Sequence, residues 1–146
     1  MKLEDQACSL ELAKKLKELG VVQDSLWYWE EYRDDWMDLR ATPKLVQGYH
    51  TDKEQRDGNA VESSTYYSAF TVAELGEMLK DGMVKSYHPG GSGGELAWCS
   101  IYFVGEGRGI AGDATVSQHG ATEAEARAKI LIYLIENQLV GVKSFG

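Results

Sequence analysis

The side chains best suited to contact a ligand are aromatic, and they concentrate in two segments whose alternation is typical of strands. The first segment carries five tryptophans and tyrosines within ten residues: Trp27, Tyr28, Trp29, Tyr32 and Trp36. In the second, Trp98 and Tyr102 fall on one face of a strand predicted over residues 95–104. Planar rings stack on nucleobases or enclose cations, but they also fill hydrophobic cores. Both interpretations stay open from the sequence.

Two arginines near these aromatic segments are candidates for phosphate contacts. Arg33 follows the first aromatic run, and Arg108 lies in the glycine-rich segment 105–109. A guanidinium can hold a phosphate with two hydrogen bonds, and loop N–H groups can add to them. That segment lacks the motif of a P-loop and the glycine spacing of a dinucleotide fingerprint, so an exposed hairpin connection is the alternative. The expected ligand-binding residues are Trp27, Trp29, Arg33, Trp98, Tyr102 and Arg108.

No arrangement of side chains predicts a reaction. The segment Gly90-Gly-Ser-Gly-Gly94 matches the G-x-S-x-G nucleophile pattern, and Asp113 and His119 follow in hydrolase order. The mechanism needs a helix directly after the serine, whereas a strand is expected there. The histidines and cysteines are widely spaced and form no metal-ligand pair. We therefore expect no catalysis, no cofactor and no metal.

The formal net charge of −8 limits the classes of partner. This charge repels nucleic acids and anionic membranes, and no basic run exceeds Lys14-Lys15, so direct nucleic-acid binding is not expected. Acids concentrate at Asp34, Asp35 and Asp38, where they form either a solvated turn or a surface that mimics DNA. The longest apolar run, residues 130–135, is far shorter than the roughly 20 residues of a membrane span.

The length of 146 residues and the hydrophobic content of 43% suit one soluble domain over residues 1–146. The N-terminus is acidic where a signal peptide would be apolar. Cys8 and Cys99 form no disulfide framework, which favours a cytoplasmic protein with reduced thiols. The polar segment 51–64 is predicted to be a mobile loop.

Apolar residues at helical spacing predict three helices that position the strands. Ser9 is placed to cap the first helix, and Gly20 to end it. Thr71-Val-Ala-Glu74 and Thr122-Glu-Ala-Glu125 are capping boxes that open the second and third helices. The order of elements predicts an α+β fold, with a mostly antiparallel sheet of about four to five strands packed with three helices.

The last helix, about Glu123 to Gln138, carries information on packing and partners. One broad apolar side is interrupted mainly by Arg127. Ile130 and Tyr133 lie outside that side and form a second, smaller apolar surface. Either a loop or another subunit would cover this surface, so a homo-oligomer is one open interpretation. In the second helix, Gly76 lies near the buried side and would allow a close helix–sheet approach.

Two segments together resemble small proteins encoded by bacteriophages and prophages. They are Tyr67-Ser-Ala-Phe-Thr-Val-Ala-Glu-Leu-Gly-Glu-Met-Leu79 and Thr122-Glu-Ala-Glu-Ala-Arg-Ala-Lys-Ile-Leu-Ile-Tyr-Leu-Ile-Glu-Asn137. The opening segment 8–20, which leads into Leu26-Trp-Tyr-Trp29, fits the same pattern. The resemblance covers somewhat under half the chain and supplies no catalytic residues. It implies a small accessory protein, and phage proteins of this kind often counter host defences.

These observations lead to two functional hypotheses. The first is a phage-encoded, non-catalytic binding protein in the host cytoplasm that sequesters a nucleotide-like immune signal, as an oligomer, with aromatic rings on the base and arginine on the phosphate. The alternative is a protein–protein inhibitor of a host enzyme. It would use the acidic segment around Asp34, Asp35 and Asp38 as a DNA-like surface.

Overall fold

The structure, a computed structural model, describes residues 2–35, 39–40, 42–58, 60–79, 83–87, 98–103 and 115–138. In chain order the elements are α1 (Leu3–Gln6), α2 (Leu10–Glu18), β1 (Trp27–Asp34), β2 (Leu39–Arg40), β3 (Lys44–Gln47), β4 (Lys53–Asp57), β5 (Ala60–Ser68), α3 (Val72–Met78), β6 (Met83–Tyr87), β7 (Trp98–Phe103), β8 (Thr115–Gly120) and α4 (Glu123–Glu136). Helices and antiparallel strands occur together, so the predicted α+β class is confirmed.

The strands are divided between two antiparallel sheets. In the larger sheet, β1 pairs with β5 on one side and with β2 and β3 on the other, and β4 extends the sheet beyond β5. The smaller sheet has the order β6-β7-β8. The division falls at α3, which carries the chain from β5 to β6. In both sheets, residues paired across neighbouring strands place their side chains on the same face.

Most of the segment predicted to be a loop, residues 51–64, forms a hairpin instead. Strands β4 and β5 pair from Lys53↔Ser64 to Asp57↔Ala60, on either side of a turn that contains Gly58 at a φ of 63°. Every residue of β4 is exposed. The strand therefore has no apolar alternation by which the sequence could be recognised. Its charged side chains also discourage pairing with other chains at this edge.

The predicted capping residues begin α3 and α4. At α3 the Thr71 hydroxyl accepts from the Glu74 N–H, and the Glu74 carboxylate accepts from the Thr71 N–H, so this capping box is complete. At α4 the Thr122 hydroxyl accepts from the Glu125 N–H, but the Glu125 carboxylate accepts from Ala121 rather than from Thr122. Both helices gain the stabilisation of a satisfied first turn.

Helix α4 lies at the centre of the hydrophobic core. Its buried residues are Ala124, Ala126, Ala128, Ile130, Leu131, Ile132 and Leu134. They surround most of the helix, as expected for a helix enclosed by other elements. Ile130 is fully buried in the core, whereas Tyr133 is 41% exposed. The predicted second surface is therefore wrong for Ile130, and only Tyr133 faces solvent. Among the described helices, none has the length and apolarity required to cross a membrane.

Candidate functional site

Three of the predicted ligand-binding residues lie on one face of β1, because alternate residues of a strand share a face. Trp29 packs against the core, and its indole N–H donates to the carbonyl oxygen of Cys8 at 2.9 Å. Arg33 makes two hydrogen bonds to the carboxylate of Asp35, at 2.7 and 2.9 Å. Trp27 is half-buried at the start of the strand. Asp35 occupies the Nε and Nη2 edge of the guanidinium and offsets its charge, so a phosphate would have to approach the remaining Nη1 edge or displace Asp35.

The two predicted residues of the smaller sheet lie on one face of β7. Tyr102 is 4% exposed and belongs to the core. Trp98 is half-buried and lines a cavity of about 370 Å³. The other residues lining this cavity are Asp5, Val72, Ala121, Thr122 and Glu123. Among the lining residues that the structure describes, two carry carboxylates and none carries a cation, and Glu123 is already paired with Arg127 at 3.0 Å, so this part of the lining offers no cation to a phosphate. Arg108 lies outside the described residues.

The structure therefore distributes the predicted residues over two sheets. Trp29 and Tyr102 contribute to the same hydrophobic core from different sheets. Arg33 is held by a carboxylate on the larger sheet, and Trp98 lines an acidic cavity beside the smaller one. The alternation of aromatic residues correctly predicts that these segments are strands. It does not distinguish a ring in the core from a ring in a pocket.

A second cavity, of about 360 Å³, contains two lysines beside an aromatic ring, but both are paired with carboxylates. The ammonium groups of Lys14 and Lys17 lie 5.6 and 4.9 Å from the centre of the Tyr67 ring. Lys14 contacts Glu31 at 2.9 Å, and Lys17 contacts Asp52 at 2.7 Å. The hydrogen bond that Lys14 donates to the Glu31 carboxylate raises the pKa of Lys14. These contacts join α2 to the larger sheet and leave little positive charge for an anion.

A third cavity lies between α2, α4 and β8 and combines an apolar floor with cationic walls; we call it the α2–α4 groove. Its volume is about 300 Å³, and it is lined by Leu12, Lys15, Gln118, Lys129, Ile132, Tyr133, Glu136 and Asn137. Leu12 and Ile132 belong to the edge of the hydrophobic core. The exposed part of the Tyr133 ring lies beside them. The volume is at the lower end of the range for small-molecule sites.

The α4 residues of the groove form one stripe, because they are spaced by three or four positions along the helix. Lys129 lies at one end of the stripe, and Glu136 and Asn137 lie at the other. Seven residues at 1.5 Å each separate these ends by about 10 Å. Tyr133 lies between them. The groove thus has a cationic end, an aromatic centre and an end with oxygen acceptors.

The two lysines of the groove have no carboxylate partner within the described residues. Lys129 donates to the carbonyl oxygen of His119 at 2.8 Å, which holds its ammonium group beside β8. The spacing of Glu125 and Lys129 favours an ion pair, but the carboxylate of Glu125 accepts from the N–H of Ala121 instead. Lys15 forms no ion pair in the same set of residues. Both positive charges are therefore left to attract an anion.

The sequence contained one sign of this site. Tyr133 falls outside the broad apolar side of α4 and follows Lys129 by four positions, so the two side chains had to be neighbours on the helix surface. The contribution of Lys15 and Gln118 could not be recognised, because these residues belong to other elements. Among the described residues there is no group of three or more histidine, cysteine, aspartate or glutamate side chains that could hold a metal ion.

The comparisons with known proteins supply no further assignment. Protein-family models, curated proteins and solved structures gave no match to this chain. The resemblance to phage and prophage proteins consequently stays a prediction from the segments 67–79 and 122–137.

Proposed function

We propose that this chain is a non-catalytic binding protein that captures a nucleotide-like anion in the α2–α4 groove. The observation that carries the proposal is the pair of lysines, Lys15 and Lys129, which line one cavity together with an exposed tyrosine ring and have no carboxylate partner among the described residues. The ligand class agrees with the hypothesis drawn from the sequence. The binding residues differ from those predicted.

The charge of the groove supports an anionic ligand. Among the described residues that line the groove, two lysines face one carboxylate, that of Glu136, at the far end of the stripe. The protein as a whole has a net charge of −8 and repels anions at long range. The two lysines of the groove provide a local excess of positive charge beside an apolar floor. A ligand that covers this floor displaces water from the lysines, and charges attract more strongly when they are partly desolvated.

The ring of Tyr133 supports a ligand that contains a base. It is 41% exposed and lies four residues after Lys129, so a base stacked on it can keep a phosphate within reach of the ammonium group. Stacking of a base on an aromatic side chain contributes about 1–3 kcal/mol. Leu12 and Ile132 offer apolar contact beneath the same ligand.

We propose sequestration rather than turnover. The side chains that line the groove are lysines, amides, a carboxylate, a tyrosine and two aliphatic residues; His119 contributes a carbonyl oxygen to Lys129. This set binds and orients a nucleotide but offers no activated nucleophile. In a phage-encoded protein, such capture would lower the concentration of a nucleotide immune signal in the host cell.

Titration calorimetry with nucleoside monophosphates and cyclic dinucleotides tests the proposal. We expect Lys15→Gln and Lys129→Gln each to weaken binding about tenfold, since each removes one charge contact to phosphate. Lys53→Gln, on the exposed edge strand β4, removes the same charge elsewhere and should leave the affinity unchanged. Unchanged affinity in both groove variants, or no binding of any nucleotide, would overturn the proposal.

The residues predicted from the sequence provide a direct competitor within the same experiment. Trp98→Ala and Arg33→Gln alter the acidic cavity and the larger sheet, respectively, and leave the groove intact. We expect neither variant to change nucleotide affinity. If they weaken binding while Lys129→Gln does not, the ligand occupies the site predicted from the aromatic strands.

A second candidate function, inhibition of a host enzyme, is favoured by the face of the larger sheet that is opposite Trp29. On this face the Tyr66 hydroxyl donates to Glu30 at 2.7 Å, and the Tyr32 hydroxyl donates to Glu62 at 3.2 Å and to Asp34 at 3.4 Å. The hydrogen bond that Tyr66 donates to the Glu30 carboxylate raises the pKa of Tyr66. The tyrosines stay neutral, and the face carries the carboxylates of Glu30, Asp34 and Glu62. Lys44 offsets Glu30 at 3.5 Å, and Lys53 lies on the same face opposite Ser64, so the acidic character is concentrated at Asp34 and Glu62.

The acidic face is tested by pull-down from host lysate with the unmodified protein and with the variant that combines Asp34→Asn and Glu62→Gln. A DNA-like surface requires the captured nucleic-acid-binding proteins to disappear when both charges are removed. Retention of the same proteins by the neutralised variant would exclude this mode. Asp38, which the sequence adds to the acidic segment, lies outside the described residues.

A further inference from the structure

The end of the α2–α4 groove that lies away from Lys129 offers two oxygen acceptors. Glu136 is exposed, and within the described part of the chain its carboxylate forms no ion pair or hydrogen bond. The side-chain amide of Asn137 donates to the carbonyl oxygen of Tyr133 at 2.8 Å. This contact uses the nitrogen and leaves the amide oxygen as an acceptor. The negative end of the α4 dipole favours hydrogen-bond donors at the same place.

These acceptors lie where the edge of a stacked base would be. Glu136 and Asn137 follow Tyr133 by three and four positions, so all three side chains share the stripe that lines the groove. A base on the Tyr133 ring directs one edge towards the C-terminal end of α4 when its phosphate is directed towards Lys129. The phosphate contact at Lys129 and the base-edge contact at Glu136 and Asn137 are separated by about 10 Å along the helix. This distance is of the order of the length of one extended nucleotide.

The nucleobases differ in what they present to a pair of acceptors. Guanine carries two adjacent donors, the ring N1–H and the exocyclic N2 amino group, on one edge. Adenine and cytosine place an amino group beside a ring acceptor, and uracil places its single N–H between two carbonyl groups. A carboxylate beside an amide oxygen can accept from both guanine donors at once. On each of the other bases, this pair of oxygens would face at least one ring nitrogen or carbonyl group that is itself an acceptor.

We infer that the α2–α4 groove selects guanine nucleotides, with Glu136 and Asn137 accepting from the base and Lys129 and Lys15 contacting the phosphate. This inference rests on the proposed function and names the ligand class of the same site. Sites built to hydrogen-bond a substrate discriminate strongly when the unpaired polar groups are buried. Here the acceptors are exposed to water, so the discrimination should be modest, about tenfold between guanine and adenine.

Titration calorimetry on the full chain at low salt tests the inference with GMP, IMP, AMP and ribose 5-phosphate. IMP keeps the N1–H of GMP and lacks only the N2 amino group. We expect the affinity to fall in the order GMP, IMP, AMP, ribose 5-phosphate. This series uses the unmodified protein, so it does not depend on the folding of any variant.

Glu136→Gln then assigns the discrimination to its residue. We expect the affinity for GMP to fall about tenfold, towards that for AMP, because an acceptor with charge is replaced by a neutral amide. The affinity for ribose 5-phosphate should not fall. Glu54→Gln removes the same charge from the exposed strand β4 and should leave both affinities unchanged, which separates the local contact from the net charge.

The outcomes separate this inference from the function on which it rests. Equal affinities for GMP, IMP and AMP, all tighter than that for ribose 5-phosphate, would overturn guanine selection and leave nucleotide capture standing. The selection is also overturned if Glu136→Gln and Glu54→Gln have the same effect on GMP. Failure of all four compounds to bind would reject the proposed function together with the inference.

Discussion

Arg127 and Lys129 stand two residues apart on α4, and therefore on opposite sides of the helix, in contrasting surroundings. The guanidinium of Arg127 pairs with Glu123 at 3.0 Å and donates to the Ser86 hydroxyl at 3.1 Å and the Val72 carbonyl oxygen at 3.2 Å. Its side chain is only 16% exposed. The ammonium group of Lys129 has one carbonyl contact and faces the α2–α4 groove.

The surroundings of Arg127 extend through three elements. The Ser86 hydroxyl that accepts from Arg127 is 2.7 Å from the Ser100 hydroxyl, so β6 and β7 join the network. Gly76 of α3 leaves the space for the guanidinium: a Cβ there would lie 2.5 Å from Nη1 of Arg127. The predicted role of Gly76 in a close approach needs one correction, because the neighbour is a side chain of α4 rather than a strand.

The contrast suggests how to separate structural cations from functional ones in this fold. A cation that is taken into the interior must be compensated by carboxylates and carbonyl groups, since an uncompensated buried charge is costly. Arg127 meets this condition. Lys129 and Lys15 do not need such compensation, because water solvates them in the open groove until a ligand binds. Substitution of the compensated cation should therefore destabilise the fold, and substitution of a groove lysine should not.

Arg127→Ala should be the most damaging of them. It leaves the carboxylate of Glu123 without its cation in a largely buried region and leaves the Ser86 hydroxyl with its Ser100 contact alone among those described. Because Glu123 is 25% exposed and keeps some solvent, we expect a loss of about 2–3 kcal/mol, below the full cost of breaking a buried pair. Urea unfolding followed by tryptophan fluorescence measures it. A loss no larger than that of Lys129→Ala would remove the distinction.

Gly120→Ala should cost about 2 kcal/mol, typical of overpacking. A Cβ at Gly120 would lie 2.7 Å from the N–H nitrogen of Ala126 and 2.7 Å from Cβ of Glu125, so the end of β8 could not approach α4 as closely. This approach also places Gln118 and the His119 carbonyl group at the groove. Ser117→Ala, at an exposed position of the same strand, is the matched control and should change the unfolding free energy by less than about 0.5 kcal/mol.

Features that depend on local chemistry could be predicted from the sequence. Thr71 and Thr122 begin helices because their hydroxyls satisfy N–H groups three positions on, within the same segment. The alternation of aromatic residues from Trp27 onwards predicts a strand, and β1 is observed at Trp27–Asp34. The antiparallel α+β class follows from the order of such elements, and it is confirmed.

Features that depend on distant parts of the chain could not be predicted. Ile130 is buried because other elements enclose α4 on nearly every side, which a helical wheel does not show. Trp29 and Tyr102 enter the core because each lies on the face of its strand that the helices cover. The alternation of residues in the sequence separates the two faces of a strand but does not show which face is covered. The groove is lined by Lys15 of α2 and Lys129 of α4. Because these residues belong to different helices, no local sequence pattern shows that they lie close together.

The core side of α4 should also be recognisable by its response to alkali. Burial raises the pKa of the Cys8 thiol from 9.0 to about 12. Below pH 9 the thiol is protonated in both states, and the stabilisation is complete. Between pH 9 and 12 the unfolded state has lost the proton that the folded state keeps, so stability falls as pH rises, by up to about 1.4 kcal/mol per pH unit.

Cys8→Ala tests the origin of this slope. Between pH 9 and 11 the unfolding free energy of the variant should fall less steeply with pH than that of the unmodified protein. Tyrosine titration contributes equally to both curves and therefore does not affect their difference. The comparison uses slopes, so the cavity left by the missing sulfur does not affect it. Parallel curves for the two proteins would mean that water reaches Cys8 and that the core side of α4 is less dry than its packing indicates.

The smallest expected effect is on the groove side. Lys129→Gln should change the unfolding free energy by less than about 0.5 kcal/mol, because it removes a charge whose only hydrogen bond within the described part of the chain is to one carbonyl oxygen. Lys14→Gln is the matched comparison on α2: it breaks the ion pair with Glu31 and should cost somewhat more, up to about 1 kcal/mol. Urea unfolding of both variants measures the difference. A greater loss for Lys129→Gln would mean that this lysine holds β8 against α4, and its charge would then serve the fold rather than a ligand.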